Sequence, residues 1–379
     1  MSAGRVGYRV IRILAVIVLL YAFLVSIKMM GASFKMFGKG FAEALITSTS
    51  NPFVGLFIGI LATSLVQSSS TVTSLVVGFV GGGMLPVGCA IPIIMGANVG
   101  TSITNTVVSM AFVTRKEDFK RAFAGATVHD FFNLSSVALL FPLELKFHPI
   151  EKISLLLTQV FKNAGGARFT SPLKVIISPA VHGIEGLLTK AFGLPEKACA
   201  VVLLLMSVTV LVASLIYLVK TMRSLVLSQA ETVVERYLFR NDLFALMLGL
   251  VLTVMVQSSS VTTSLVVPLV GAGILTLTRC YPFTLGANLG TTCTAFLASL
   301  ATVKAAGGGV QANTAGVTAA LAHLCFNIMG IAVFYPLRIV PITLATKLAE
   351  VTAASRKWAI VFVVGVFFLL PLAVITLAR

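Results

Sequence analysis

The chain has 379 residues, of which 58% are apolar and only 11% charged, with a mean hydropathy of +1.03. A water-soluble domain carries about 25% charged residues, so the composition excludes one and predicts a polytopic, all-α membrane protein. The net charge of +16 does not imply a nucleic-acid partner, because the basic residues form no single stripe. They fall in clusters between apolar segments, the signature of cytoplasmic loops.

The first apolar run, residues 13–27, follows Arg5, Arg9 and Arg12 and lacks a small-residue cleavage site. It reads as a retained first span, not a signal peptide. From Ala44 to Thr114 there is no charged residue, yet the stretch contains VQSSSTVTSLVV at 66–77. Glycines 81–83 close that stretch as a turn, and an apolar segment at 91–110 follows, interrupted by GANVGTSIT at 96–104. A basic loop at 115–121 leads to a span at 121–141 that carries HDFFN. A linker, 143–198, precedes a span at 199–217, about the 20 residues a bilayer crossing needs, and then a basic loop at 220–240. The second half runs through VQSSSVTTSLVV, a segment at 281–300, a loop at 304–309, and spans at 314–335 and 358–377. Five scattered cysteines show no metal-ligand spacing.

The two halves are copies. An offset of 190 carries Asn51 onto Asn241, Gln67 onto Gln257, and GANVGTSIT onto GANLGTTCT, and 20 of the 38 positions from Gln67 to Thr104 are identical. The offset then becomes 194, matching HDFFN to HLCFN. Such a fixed period means internal duplication. Each copy predicts a helix pair interrupted at QSSS, then a helix broken at GAN-GT. Interrupted backbone is tolerated at membrane depth only where protein or water covers it. A helical hairpin that enters and leaves on one side therefore fits the QSSS stretch.

With the N-terminus cytoplasmic, the basic loops place the first hairpin outside and the second inside, so the two repeats have inverted topology. The expected units are residues 1–142, an extracytoplasmic linker at 143–198, an inverted repeat at 199–337, and a cytoplasmic loop with a final span at 338–379. Inverted repeats with discontinuous helices are the architecture of secondary transporters, with cargo held at the repeat interface. Serine and threonine hydroxyls serve either ion, accepting toward a cation or donating to an anion. Ser69 and Thr73, like Ser259 and Thr263, share one helix face.

The paired QSSS, GANVGTSITNT and AFAGATVHDFFN resemble the type II sodium-phosphate cotransporters, here a bacterial member, over residues 51–142 and 241–336. That resemblance implies sodium-driven phosphate uptake by alternating access in the plasma (inner) membrane. It implies electrogenic transport, no cofactor beyond the carried sodium, no catalysis, and a homodimer as one assembly. It places Ser68, Ser69, Ser70, Ser258, Ser259 and Ser260 around phosphate. It places Gln257, Ser258, Thr291, Thr294 and Asn288 in a sodium site. Repeat symmetry adds Gln67, Thr101, Thr104 and Asn98. Asp130 and Asn133 are implied in coupling and charge movement; Asp130 is intramembrane, a position at which ionisable groups are functional by default, and its repeat partner is Leu324. The chain departs from the family at Arg115, Phe112 and Ala287, and its linker has no cysteine for an outer-loop disulfide.

Other classes stay open on the residues themselves. A carrier of arsenate or sulfate would use the same donors, and a pore would show no sodium requirement. A hydrolase would need a base beside a QSSS serine, for which only His129 or His323 with Asp130 could serve. The two histidines read more simply as packed residues bonding a neighbouring helix.

Overall fold

A computed structural model describes residues 3–37, 47, 49–101, 103–161, 172–238, 241–302 and 314–378. The expected loop at 304–309 lies outside these. Helices make up the fold, and no strand occurs among the described residues.

The helix α1 (Ala3–Phe37) leads into repeat one, whose matched sequence carries α2 (Pro52–Val66), α3 (Ser69–Gly81), α4 (Val87–Val99), α5 (Ile103–Ser109) and α6 (Lys116–Phe147). The linker folds into α7 (Pro149–Phe161) and α8 (Pro172–Gly186). The helix α9 (Glu196–Leu238) leads into repeat two, whose matched sequence carries α10 (Asp242–Val256), α11 (Ser259–Ser264), α12 (Val267–Gly271), α13 (Leu277–Thr302) and α14 (Ala315–Phe334). Two further helices end the chain, α15 (Ile339–Ala354) and α16 (Lys357–Leu377). Within the described residues, four segments are long and apolar enough to cross a membrane: Ile11–Met30, Glu196–Leu218, Ala315–Phe334 and Lys357–Leu377.

Local chemistry sets the matching boundaries. Asn51 and Asn241 cap α2 and α10, their Oδ1 atoms accepting from Phe53 N at 3.0 Å and Phe244 N at 2.8 Å. Both helices end at a glutamine in the left-handed region, Gln67 at φ 58° and Gln257 at φ 59°. Ser68 and Ser258 are then extended and cap α3 and α11 through their own hydroxyls. The helix pairs α2/α4 and α10/α13 pack backbone to backbone. A Cβ on Gly96 would lie 1.9 Å from Leu56 O, and one on Gly286 1.8 Å from Leu246 O. Only glycine permits that approach.

The core is shared across the repeats. α1 packs on α9; α3 packs on α13 and α14; α11 and α12 pack on α5, and α12 also on α6. α7 covers α14 while α15 covers α6. Lys28 on α1 donates to the Ser178 hydroxyl on α8.

Three expectations are corrected. The helix break at GAN-GT occurs only in repeat one, between Val99 and Ile103; α13 runs unbroken through GANLGTT. Glycine permits such a break without forcing it, and the segment beyond decides: NTVVS is poor in helix formers where AFLAS is rich. The basic segment 220–240, expected as a loop, continues α9 as far as Leu238. It holds no glycine or proline to stop the helix. The region after residue 338, expected as a loop before the last span, begins with the 16-residue helix α15.

Candidate functional site

The two QSSS junctions are built alike. Each ends one helix and starts another within two residues, so the last carbonyls of α2 or α10 stand beside the first N–H groups of α3 or α11. A side chain in the left-handed region is strained by about 1–2 kcal/mol. At both junctions the glutamine's own amide offsets this by bonding the helix end. Gln67 Nε2 donates to Ser64 O, and Gln257 Nε2 to Val254 O at 2.5 Å. Ser68 Oγ accepts from Thr71 N at 3.2 Å, and Ser258 Oγ from Val261 N at 3.4 Å. Ser69, Ser70, Ser259 and Ser260 are buried. The predicted i, i+4 face is present: Thr73 Oγ1 donates to Ser69 O and Thr263 Oγ1 to Ser259 O, both at 2.8 Å.

Of the residues expected in a cation site, Thr294 and Gln257 meet directly, Thr294 Oγ1 donating to Gln257 Oε1 at 2.8 Å. Thr291 lies one turn earlier on α13 and donates to Asn288 O at 2.5 Å. In repeat one, Gln67 is exposed, and Thr101 is buried with its hydroxyl 3.4 Å from Ala97 O and Asn98 O. The side chain of Thr104 lies outside the described residues. Among the described residues no hydrogen bond joins one serine triplet to the other. The link at that level is Asn105 Nδ2 on α5, which donates to Thr263 Oγ1 at 2.8 Å.

Asn98 and Asn288 belong to a second, fully buried cluster where the repeats cross. His129 Nε2 lies 3.1 Å from Asn288 Oδ1, and His323 Nε2 lies 3.1 Å from Asn98 Oδ1. The pairing is reciprocal, each repeat's histidine holding the other repeat's GAN asparagine. Asn288 Nδ2 also donates to Asn133 Oδ1 at 2.8 Å and to Asn327 Oδ1 at 2.7 Å. Asn133 Nδ2 donates to Asn98 O at 2.9 Å. Because Asn288 spends both amide hydrogens on asparagine oxygens, its Oδ1 can only accept, and His129 must donate from Nε2. Asp130 is fully buried beside this cluster, with Oδ1 3.8 Å from His129 Nδ1.

The sequence reading of the histidines as residues bonding a neighbouring helix agrees with this geometry. It missed Asn105, for which there was no repeat signal since its counterpart is Ala295. It also missed Asn327, which the HDFFN–HLCFN match could have supplied as the partner of Asn133. At the departures, Arg115 is exposed and paired with Asp118 at 3.6 Å. Phe112 lies against Gly271, and Ala287 is buried.

No solved structure matches the chain. The curated relatives include the human sodium-dependent phosphate transport protein 2B, which is 34% identical over 97% of this chain and 65% of its own length. The rat sodium-dependent phosphate transport protein 2A is 35% identical over 97% of this chain and 68% of its own. This chain thus spans about two thirds of the length of those relatives, and somewhat less for the 2B proteins. The family profile described as Na+/Pi-cotransporter matches residues 22–144 and 210–369, taking in both QSSS junctions and both halves of the asparagine–histidine cluster. The chain belongs to that family.

Proposed function

We propose that this chain carries sodium and inorganic phosphate together across a membrane by alternating access. The observation that carries this reading is the doubled Gln–Ser junction. A helix C-terminus favours a cation and a helix N-terminus an anion. At each junction the two poles are neighbours, so a cation and an oxyanion are accommodated side by side without a fixed positive side chain. A transported sodium then supplies the charge that a buried arginine would supply at high cost.

The roles follow from position. Ser68, Ser69, Ser70, Ser258, Ser259 and Ser260 face phosphate. Gln257, Ser258, Thr291, Thr294 and Asn288 hold one sodium, and Gln67, Thr101, Thr104 and Asn98 are their counterparts. Asp130 takes the extra sodium that makes transport electrogenic, and Asn133 one turn on takes part in the coupling. The units are residues 1–142 and 199–337, inverted relative to one another, with each QSSS stretch a re-entrant hairpin. Residues 143–198 lie outside the cell, the N-terminus is cytoplasmic, and the membrane is a bacterial plasma membrane. The likeness to sodium-dependent phosphate transport proteins supports a carrier over a hydrolase.

Phosphate uptake into proteoliposomes under an inward sodium gradient tests this, with the potential set by valinomycin. The expected outcome is sodium-dependent uptake that grows with an inside-negative potential, is lost in Ser259→Ala, and loses its voltage response in Asp130→Gly. Uptake indifferent to sodium would refute the coupling. Stronger inhibition by sulfate or arsenate than by unlabelled phosphate would reassign the cargo.

A further inference from the structure

The hydroxyls of Thr63 and Thr253 break a pattern kept by their neighbours. Many buried serines and threonines in the described helices return their hydrogen to a carbonyl one turn back, as Ser64 does to Ile60 O, Thr127 to Phe123 O and Thr263 to Ser259 O, each at 2.8 Å. Ser74 and Ser136 lack such a bond, but neither has a repeat partner in the same state. Thr63 and Thr253 lack it too. Both are fully buried, and neither Oγ1 has a hydrogen-bond partner among the described residues. A buried polar group left unpaired is costly. The two positions are 190 apart, the offset of the duplication, so the same cost appears at the same place in both repeats.

Their surroundings indicate what is missing. The carbonyl of each threonine accepts the N–H of the QSSS glutamine at 2.7 Å. The Cβ of each lies 2.7 Å from where a side chain on the GAN-GT glycine would begin, Gly100 or Gly290. Each threonine therefore sits where the end of α2 or α10 crosses the GAN-GT segment, Thr253 with its methyl 3.0 Å from that point at Gly290. The nearby threonines have already spent their hydrogens, Thr291 on Asn288 O and Thr294 on Gln257 Oε1. Among the described residues no donor meets the oxygen lone pairs that these threonines leave, a setting for a hard cation.

We propose that Thr63 and Thr253 are cation ligands, one in each repeat, completing the sets that contain Gln67 with Thr101 and Gln257 with Thr291 and Thr294. This rests on the sodium-coupled reading and extends it to a pair of residues that the QSSS and GAN-GT phrases do not include. Removing either hydroxyl weakens sodium without touching a phosphate donor.

The test uses the purified full chain, melted in choline chloride and in rising sodium chloride, beside uptake in proteoliposomes. Thr253→Val is expected to raise the sodium needed for half-maximal stabilisation about tenfold. Thr253→Ser should stay near wild type, because it keeps the oxygen. Thr63→Val should shift the sodium response in the same direction. If a Val variant does not fold, Thr253→Ala replaces it. A Val variant that melts higher in both salts, with wild-type sodium dependence, would mean that each site holds only a water, and would overturn the proposal. Sodium that stabilises wild type and variants equally removes only the threonine assignment. Sodium that neither stabilises wild type nor drives its uptake removes the coupled reading as well.

Discussion

The two repeats share their junctions but differ in where their helices break. Repeat one keeps α3 whole for 13 residues and breaks its crossing helix after Val99. Repeat two keeps its 26-residue crossing helix α13 whole and breaks the QSSS helix between Ser264 and Val267. Pro268 accounts for the second break, since its nitrogen cannot donate to the carbonyl one turn back; its counterpart is Gly78. What both repeats retain is a left-handed glutamine, a serine cap and a GAN glycine against a carbonyl. Those are the elements that position the ends of the helices, whereas the continuity of the helices beyond them is free to vary.

On that division, the largest effect comes from the retained contacts. Gly96→Ala and Gly286→Ala each force a Cβ onto a carbonyl oxygen less than 2 Å away. Each is expected to lose at least about 4 kcal/mol, seen as loss of the monodisperse peak on gel filtration. Tolerance in one repeat alone would show that the backbone contact is not equivalent. The next largest concerns the exchanged breaks. Gly78→Pro removes a backbone bond inside the intact α3 and should cost about 3 kcal/mol, whereas Pro268→Gly, at a break, should cost about 1 kcal/mol or less. Equal melting shifts for the two would contradict the reading of Pro268 as a tolerated break.

The crossed cluster gives a smaller asymmetry of the same kind. Asn288→Ala strips partners from the side chains of His129, Asn133 and Asn327, whereas Asn98→Ala strips one side chain, His323, and a second bond to the Ile94 carbonyl. At about 1–3 kcal/mol for a buried group left unpaired, Asn288→Ala should melt well below Asn98→Ala in sodium-free buffer. The reverse order would mean that Asn98 is the hub.

The junctions were legible because their signals are local and written twice: an Asn cap, a glutamine, serines in a cap position, and glycines at one offset. The crossing was only half legible. His129 and His323 could be assigned to a neighbouring helix, but that each reaches the other repeat's asparagine depends on how two copies pack, which no stretch of sequence encodes by itself. The helices α7 and α15 were hidden for another reason. They lie beyond the last matched motif, and their sequences carry no recognisable copy of each other. Yet they occupy corresponding places, α7 over α14 and α15 over α6.

The residues leading into those two helices give the smallest and most specific prediction. At the offset of 194, Glu144 corresponds to Arg338. Glu144 accepts from Ile150 N at 2.7 Å and Glu151 N at 3.1 Å, capping α7, while Arg338 donates to Asp242 at 2.7 Å. Two forces oppose each other at the glutamate. Burial pushes its carboxyl above the ordinary range, the two N–H bonds and His148 pull it down, and burial prevails. A carboxyl with a raised folded-state pKa binds its proton more tightly in the folded chain than in the unfolded one. Its contribution to stability is therefore present in acid and is lost as pH rises through that folded value. The melting temperature of wild type relative to Glu144→Gln should accordingly fall between about pH 4 and neutrality, by the equivalent of about 1 kcal/mol or less. Arg338→Gln should show no arginine-dependent slope over that range, because a guanidinium stays charged throughout. A rising difference for Glu144→Gln would mean that the two N–H bonds, not burial, govern the carboxylate, and that α7 is held by a charged cap as α15 is held by a charged pair.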